Sequence, residues 1–84
     1  MIFSIKIVAC IYNITCLLMR KEENYAFMYK EIGLSHETLQ TALRFLLRAK
    51  LIKRVDRGHK KSYYEITEKG RRYFLLMKEL RELS

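Results

Sequence analysis

A dense block of positive charge is the part of this sequence best suited to chemistry. Between residues 44 and 61 there are eight basic residues and one acid, Asp56, so this segment holds +7 of the chain's net charge of +8. The basic residues are Arg44, Arg48, Lys50, Lys53, Arg54, Arg57, Lys60 and Lys61. Clustered cations gain free energy by neutralising a polyanion and releasing its condensed counterions. The block therefore indicates a nucleic-acid-binding surface.

Other chemistries find little support in the pattern of residues. The sequence has no nucleophile beside a base, no Gly-rich phosphate loop and no spaced set of metal ligands. We therefore expect no enzyme, no cofactor and no small-molecule ligand. Cys10 and Cys16 are expected to be buried, reduced thiols, because two cysteines are too few for a disulfide framework and lack metal-ligand partners at useful spacing. Residues six apart on a helix point to different sides, so these two cannot bond to each other. An intersubunit disulfide stays open as an alternative.

The first two arginines of the block, Arg44 and Arg48, lie on a helix that the sequence predicts clearly. Residues 36–49 place leucines at helical spacing on one face and polar residues on the other. A shorter helix precedes it, with Asn24 as its N-cap and Gly33 at its end, and Ser35 caps the longer helix. Two helices joined by a short turn containing glycine form a helix-turn-helix, here over residues 24–49.

The rest of the block lies in a predicted β-hairpin. Two β-rich runs flank a turn containing Gly58, which gives a wing hairpin over residues 51–66 with a basic tip. A last helix, 67–83, begins at Thr67 and carries an apolar stripe. The chain of 84 residues is expected to be one domain of residues 1–84.

The first segment of the chain is almost wholly apolar. Residues 3–20 are interpreted as a helix packed on its own domain and on a second subunit, because its apolar arc is wider than one neighbour covers. A strand over residues 2–9 is the alternative. Lys6 and Asn13 interrupt the run, which argues against a membrane span.

Together these elements predict a mostly α fold with a small β-hairpin. The class is α+β, a winged helix-turn-helix, in the order helix, helix, helix, strand, wing, strand, helix. Within it, the residues predicted to contact DNA are Tyr29, Lys30, Ser35, His36, Glu37, Thr38, Gln40, Thr41, Arg44, Arg48, Lys53, Arg54, Arg57, His59, Lys60 and Lys61. Arg44 could form hydrogen bonds with guanine, Gln40 could pair with adenine, and Glu37 could accept a hydrogen bond from cytosine.

Three segments also carry a family resemblance. Residues 29–35 (YKEIGLS), 43–52 and 63–70 (YYEITEKG) resemble small archaeal winged-helix DNA-binding proteins and, more loosely, PadR-like and MarR-like repressors. The similarity covers about residues 24–80. Lys50 departs from the family pattern, because these families often have glycine just before the first wing strand. The resemblance implies a homodimer on duplex DNA, joined through its N-terminal and C-terminal helices.

The leading hypothesis is a sequence-specific transcriptional regulator that binds double-stranded DNA as a homodimer. It would be cytoplasmic, associated with the nucleoid, and of archaeal or archaeal-virus origin. The alternatives are an architectural protein that coats DNA without sequence preference and a winged helix that binds a protein partner.

Overall fold

The computed structural model describes residues 4–56, 58 and 62–83. Its elements are α1 (Ile5–Arg20), β1 (Glu23–Asn24), α2 (Tyr25–Ile32), α3 (His36–Arg48), β2 (Ile52–Asp56), β3 (Ser62–Ile66) and α4 (Glu68–Leu83). The predicted α+β winged helix-turn-helix is therefore confirmed. One strand was not predicted: β1 pairs with β3 and makes an antiparallel sheet of order β1-β3-β2.

The first helix, α1, lies at the centre of the core. Cys10, Ile14 and Leu18 follow each other at one-turn spacing and are fully or almost fully buried. The Ser4 hydroxyl accepts a hydrogen bond from the Ile7 amide at 3.3 Å and caps the helix, so the alternative strand over residues 2–9 is wrong. Cys16 is exposed on the outer side of α1, and the expectation that both thiols are buried is wrong for it.

The helix-turn-helix is fixed by its caps. Asn24 Oδ1 accepts from the Phe27 amide at 2.8 Å, and Ser35 Oγ accepts from the Thr38 amide at 3.2 Å. Between them, Gly33 has a φ of 71°, a left-handed conformation that glycine adopts without steric cost. On α3 the inward face is apolar, with Leu39, Ala42, Leu43 and Leu46 buried, and this orients the polar face outward.

The two long strands divide their side chains between the two faces of the sheet. The register pairs Arg54 with Tyr64 and Lys53 with Glu65. Tyr64 is only 7% exposed and belongs to the core, so Arg54 shares the face of the sheet that is turned toward the helices. Lys53 and Glu65 lie on the opposite face and form an ion pair of 3.4 Å.

The end of α3 is a Schellman motif that feeds directly into β2. The Leu51 amide donates to the Leu46 carbonyl at 2.9 Å, and the Lys50 amide donates to the Leu47 carbonyl at 3.1 Å. This pattern places Lys50 in the left-handed region, with a φ of 60°. The position at which the sequence departs from the resemblance is thus one whose backbone favours glycine.

The start of α4 is tied to the same junction. The Thr67 hydroxyl lies 2.8 Å from the Lys50 carbonyl oxygen and accepts from the Gly70 amide at 3.0 Å. Lys69 Nζ donates to the Ala49 carbonyl at 3.0 Å. A Cβ at residue 70 would overlap the Leu51 carbonyl oxygen, so only glycine allows this close approach. The junction holds the base of the wing in a fixed position relative to α3.

Helix α4 runs back along α1. Phe74 is buried and stacks on Tyr12, with ring centroids 5.2 Å apart, while the Arg81 guanidinium lies 4.4 Å from the centroid of the Tyr12 ring. The outer side of α4 carries large exposed apolar residues, including Leu80 at 67% and Leu83 at 81% exposure. Over the described part of the chain, none of the helices has the length and apolar character needed to cross a membrane.

Candidate nucleic-acid interface

The outward face of α3 is a continuous row of polar side chains. Glu37, Gln40, Arg44 and Arg48 are all exposed and recur at spacings of three or four residues. Their spacing places them one above another on the helix, opposite the buried leucines. Within the described residues, these predicted positions are brought together on a single surface, which is called here the α3 face.

Two hydroxyl groups near the start of α3 serve the helix as well as the surface. Ser35 Oγ caps the helix and also donates to Thr38 Oγ1 at 3.0 Å, so its hydrogen is committed within the protein. Thr41 Oγ1 donates to the Glu37 carbonyl at 2.8 Å, which leaves only its lone pairs for a partner. Ser35 is therefore placed as a structural cap, whereas Thr38 can still donate outward.

An aromatic cluster of Tyr25, Tyr29 and His36 lies where α2 meets the first turn of α3. The rings of Tyr29 and His36 are nearly parallel, with centroids 3.8 Å apart and an interplanar angle of 4°. The Tyr25 hydroxyl oxygen is 2.8 Å from His36 Nδ1. Tyr29 and His36 were predicted at the site, but Tyr25 was missed. The sequence feature that could have identified Tyr25 is its one-turn spacing from Tyr29.

Burial of the Tyr25 phenol affects its ionisation. Burial raises the pKa of Tyr25 above its usual value, and a side-chain hydrogen bond with Gln40 acts in the opposite direction. The phenol therefore keeps its proton at neutral pH and can donate one hydrogen bond while accepting others.

A groove of about 300 Å³ separates the α3 face from the sheet. Its floor is apolar, from Leu43 and Leu47, and its remaining lining residues are Tyr25, Gln40, Arg44, Arg54 and Tyr64. The Arg54 guanidinium lies 5.6 Å from the centroid of the Tyr64 ring and 3.5 Å from its hydroxyl oxygen. Two arginines from different elements thus line one groove, an arrangement suited to an anionic oxygen.

A second depression, of about 420 Å³, is larger but chemically different. It lies between α1 and α2 and is lined by Arg20 and Lys21 together with Glu23 and Glu31. Because acids and bases alternate there, this depression offers no net attraction to a polyanion. The smaller groove beside α3 is the better candidate for nucleic acid.

The remaining predicted residues are not all brought to this surface. Lys30 is exposed on α2, and Lys53 lies on the far side of the sheet in its ion pair with Glu65. The wing-tip predictions Arg57, His59, Lys60 and Lys61 lie outside the described residues. At the start of the turn, the Gly58 amide donates to Asp56 Oδ1 at 2.8 Å, and Gly58 has a left-handed φ of 77°.

Comparison with solved structures finds this fold in several other proteins. A Streptococcus mutans protein matches with a TM-score of 0.86 and 16% identity, over 99% of this chain and 85% of that one. A transcriptional regulator from Clostridium thermocellum matches with a TM-score of 0.83 and 22% identity, over 98% and 90% of the two chains. A PadR family transcription regulator from Clostridium difficile matches with a TM-score of 0.78 and 19% identity, over 88% of each.

These likenesses concern the fold. No protein-family model matches the sequence, and no curated protein matches it. These three structures come from bacteria and give no support to the expected archaeal origin.

Proposed function

We propose that this chain is a transcriptional regulator that binds duplex DNA as a homodimer and reads its sequence with α3. The observation that carries the proposal is the α3 face, a solvent-exposed row of groups able to hydrogen-bond with base edges, beside a groove lined by Arg44 and Arg54. The major groove of B-DNA admits an α-helix, and a helix that enters it needs such a face.

Three residues of the α3 face each have a matching base edge. Arg44 pairs with O6 and N7 of guanine, Gln40 with N6 and N7 of adenine, and Glu37 accepts from N4 of cytosine. Arg48, one turn beyond Arg44, extends the positive end of the face toward the phosphates. Thr38 and Thr41 contribute hydroxyl groups at its edges.

The groove beside α3 suits the DNA backbone. A phosphate seated there would meet the guanidinium groups of Arg44 and Arg54. Beyond Arg54, the wing residues Arg57, His59, Lys60 and Lys61 would follow the flanking backbone or the minor groove. Lys53 lies on the opposite face of the sheet in its ion pair with Glu65, so we expect no direct contact between Lys53 and the DNA.

A second copy of the chain would cover the outer side of α4. Tyr73, Leu76, Leu80 and Leu83 are spaced by three, four and three residues, the heptad spacing of a helix-helix seam. The three leucines are 60%, 67% and 81% exposed, and Ile5 of α1 is 88% exposed. Dimerisation through these helices would set two α3 helices about 34 Å apart, one turn of DNA.

The fold similarities support this assignment. The Clostridium thermocellum and Clostridium difficile proteins are described as transcription regulators, and they share most of their length with this chain. The proposed site of action is chromosomal DNA in the cytoplasm.

The experiment that tests sequence reading begins with selection of binding sites from a random pool of duplexes. Fluorescence anisotropy then compares the selected duplex with a random one for Arg44→Ala, Arg54→Ala and the control Lys78→Ala. Lys78 is an exposed lysine of α4, so its substitution removes one positive charge away from the α3 face.

Arg44→Ala is expected to lower the affinity for the selected duplex by about 5- to 150-fold, the contribution of one bidentate base contact. It should also reduce the preference for one base at a single position of the site. Arg54→Ala should lower the affinity for the selected and the random duplex by the same factor. Equal behaviour of Arg44→Ala and Lys78→Ala would contradict base reading by α3. A wild-type ratio of specific to random affinity near one would favour the architectural alternative.

The dimer is tested separately by light scattering coupled to size exclusion. Leu80→Glu places a charge in the proposed seam and is expected to give a monomer, whereas the wild type elutes as a dimer. A monomeric wild type would contradict the homodimer.

A further inference from the structure

The Tyr25 hydroxyl joins two elements that meet only in the folded protein. Tyr25 is the first residue of α2, and its hydroxyl oxygen lies 2.8 Å from Nδ1 of His36, the first residue of α3. Tyr29, one turn further along α2, stacks on the His36 ring with a centroid separation of 3.8 Å. The imidazole is therefore held across its face by one tyrosine and at Nδ1 by another.

Gln40, which lies one turn after His36 on the α3 face, lines the same groove as Tyr25. The side-chain hydrogen bond with Gln40 acts to lower the pKa of Tyr25, which is the effect of a donor directed at the phenolic oxygen. One hydroxyl can accept from the amide of Gln40 and donate to the imidazole of His36 at the same time. With the hydroxyl as the donor to Nδ1, the three groups form a chain from Gln40 through Tyr25 Oη to His36 Nδ1.

This chain determines what two residues present to a ligand. When Nδ1 of neutral histidine accepts a hydrogen bond, its proton resides on Nε2, so His36 presents a donor. When one N–H of the Gln40 amide is used by Tyr25, the orientation of the amide is fixed, and Oε1 and the second N–H remain for a partner. Held in this way, both side chains lose little conformational entropy when DNA binds.

We propose that Tyr25 is a positioning residue for sequence recognition, whose hydroxyl sets the orientation and hydrogen-bonding pattern of His36 and Gln40. This inference rests on the proposed function, because it concerns how the α3 face distinguishes bases. Tyr25 need not contact a base itself. The expected contribution is to discrimination between sequences, and the general attraction to phosphates should not depend on it.

The test is Tyr25→Phe, which keeps the ring and removes only the hydroxyl. Affinities are measured for the selected duplex and for a random duplex of equal length. The ratio of the two affinities is expected to fall about three- to tenfold, the equivalent of one hydrogen bond, while the random affinity stays within about twofold of the wild type. Tyr63→Phe is the matched control, since Tyr63 lies on the opposite face of the sheet from Tyr64 and Arg54. It should leave the ratio unchanged.

A double-substitution background shows through which residues the hydroxyl acts. With His36→Ala and Gln40→Ala already in place, Tyr25→Phe should cause no further change in the ratio, because its targets are gone. If Tyr25→Phe lowered the affinity ratio in that background as much as it does in the wild type, the positioning role would be overturned. Thermal unfolding of each variant separates a change in recognition from a loss of fold.

The outcomes distinguish this inference from the function on which it rests. If the wild type discriminates between sequences and Tyr25→Phe discriminates equally well, the inference is overturned and the proposed function stands. If the wild type itself shows a ratio near one, sequence reading fails and the inference fails with it.

Discussion

Substitution of Lys50 by glycine is expected to stabilise the protein. Lys50 occupies the left-handed position of the Schellman motif, with a φ of 60°, and its side chain is exposed. An L-residue pays about 1–2 kcal/mol in this conformation, because its Cβ crowds the following carbonyl oxygen. Glycine avoids that cost but loses about 0.5–1 kcal/mol more backbone entropy on folding. The net expectation is a gain of about 0.5–1 kcal/mol in the free energy of unfolding.

The assay is equilibrium unfolding in urea and thermal unfolding, at one fixed protein concentration because a dimer's stability depends on it. The melting temperature should rise by about 2–8 °C for a domain of this size. Lys50→Ala is the matched control, since it removes the same charge but keeps a Cβ in the left-handed conformation. It should leave stability unchanged or slightly lowered. If glycine and alanine at position 50 gave the same stability, the account of this helix end would be refuted.

Two further predictions concern packing. Gly70→Ala should lower the free energy of unfolding by about 1–3 kcal/mol or more, because the new methyl group overlaps the Leu51 carbonyl. Urea unfolding with Lys78→Ala as the control measures this change, and unchanged stability would contradict the close approach. Burial raises the pKa of the Cys10 thiol to about 11, so Cys10 should resist alkylation at pH 8 while the exposed Cys16 reacts, as mass spectrometry of labelled native protein would show. Because the folded pKa of Cys10 exceeds its ordinary value of 9.0, this thiol's contribution to stability is complete below pH 9 and is lost as pH rises toward about 11.

The elements of the fold were largely predictable because their ends carry local signals. Asn24, Gly33 and Ser35 each act within a few residues of their own position, and the structure gives them the predicted capping roles. The strand β1 was missed because two residues are too few to show a periodic pattern. Its pairing with β3 depends on the tertiary position of the segment between α1 and α2.

The arrangement of the candidate site was less predictable, since it depends on contacts between elements. Alternation in a strand indicates that Lys53 and Arg54 lie on opposite faces, but only the burial of Tyr64 shows which face is turned toward α3. The contact between Tyr25 and His36 likewise requires the start of α2 to lie against the start of α3. Cys16 was misassigned because the core covers one face of α1, whereas the sequence is apolar around most of it.

The central claim is that this protein binds duplex DNA through its concentrated positive charge. The most direct measurement is the affinity of the purified protein for a random duplex of about 30 base pairs at several salt concentrations, since each neutralised phosphate contributes about −0.9 to the log–log slope. The account predicts a slope of about −5 or steeper, equivalent to about six or more phosphate contacts per dimer. Absence of binding at low salt would contradict the account, and a protein partner for the basic surface would then be the leading hypothesis.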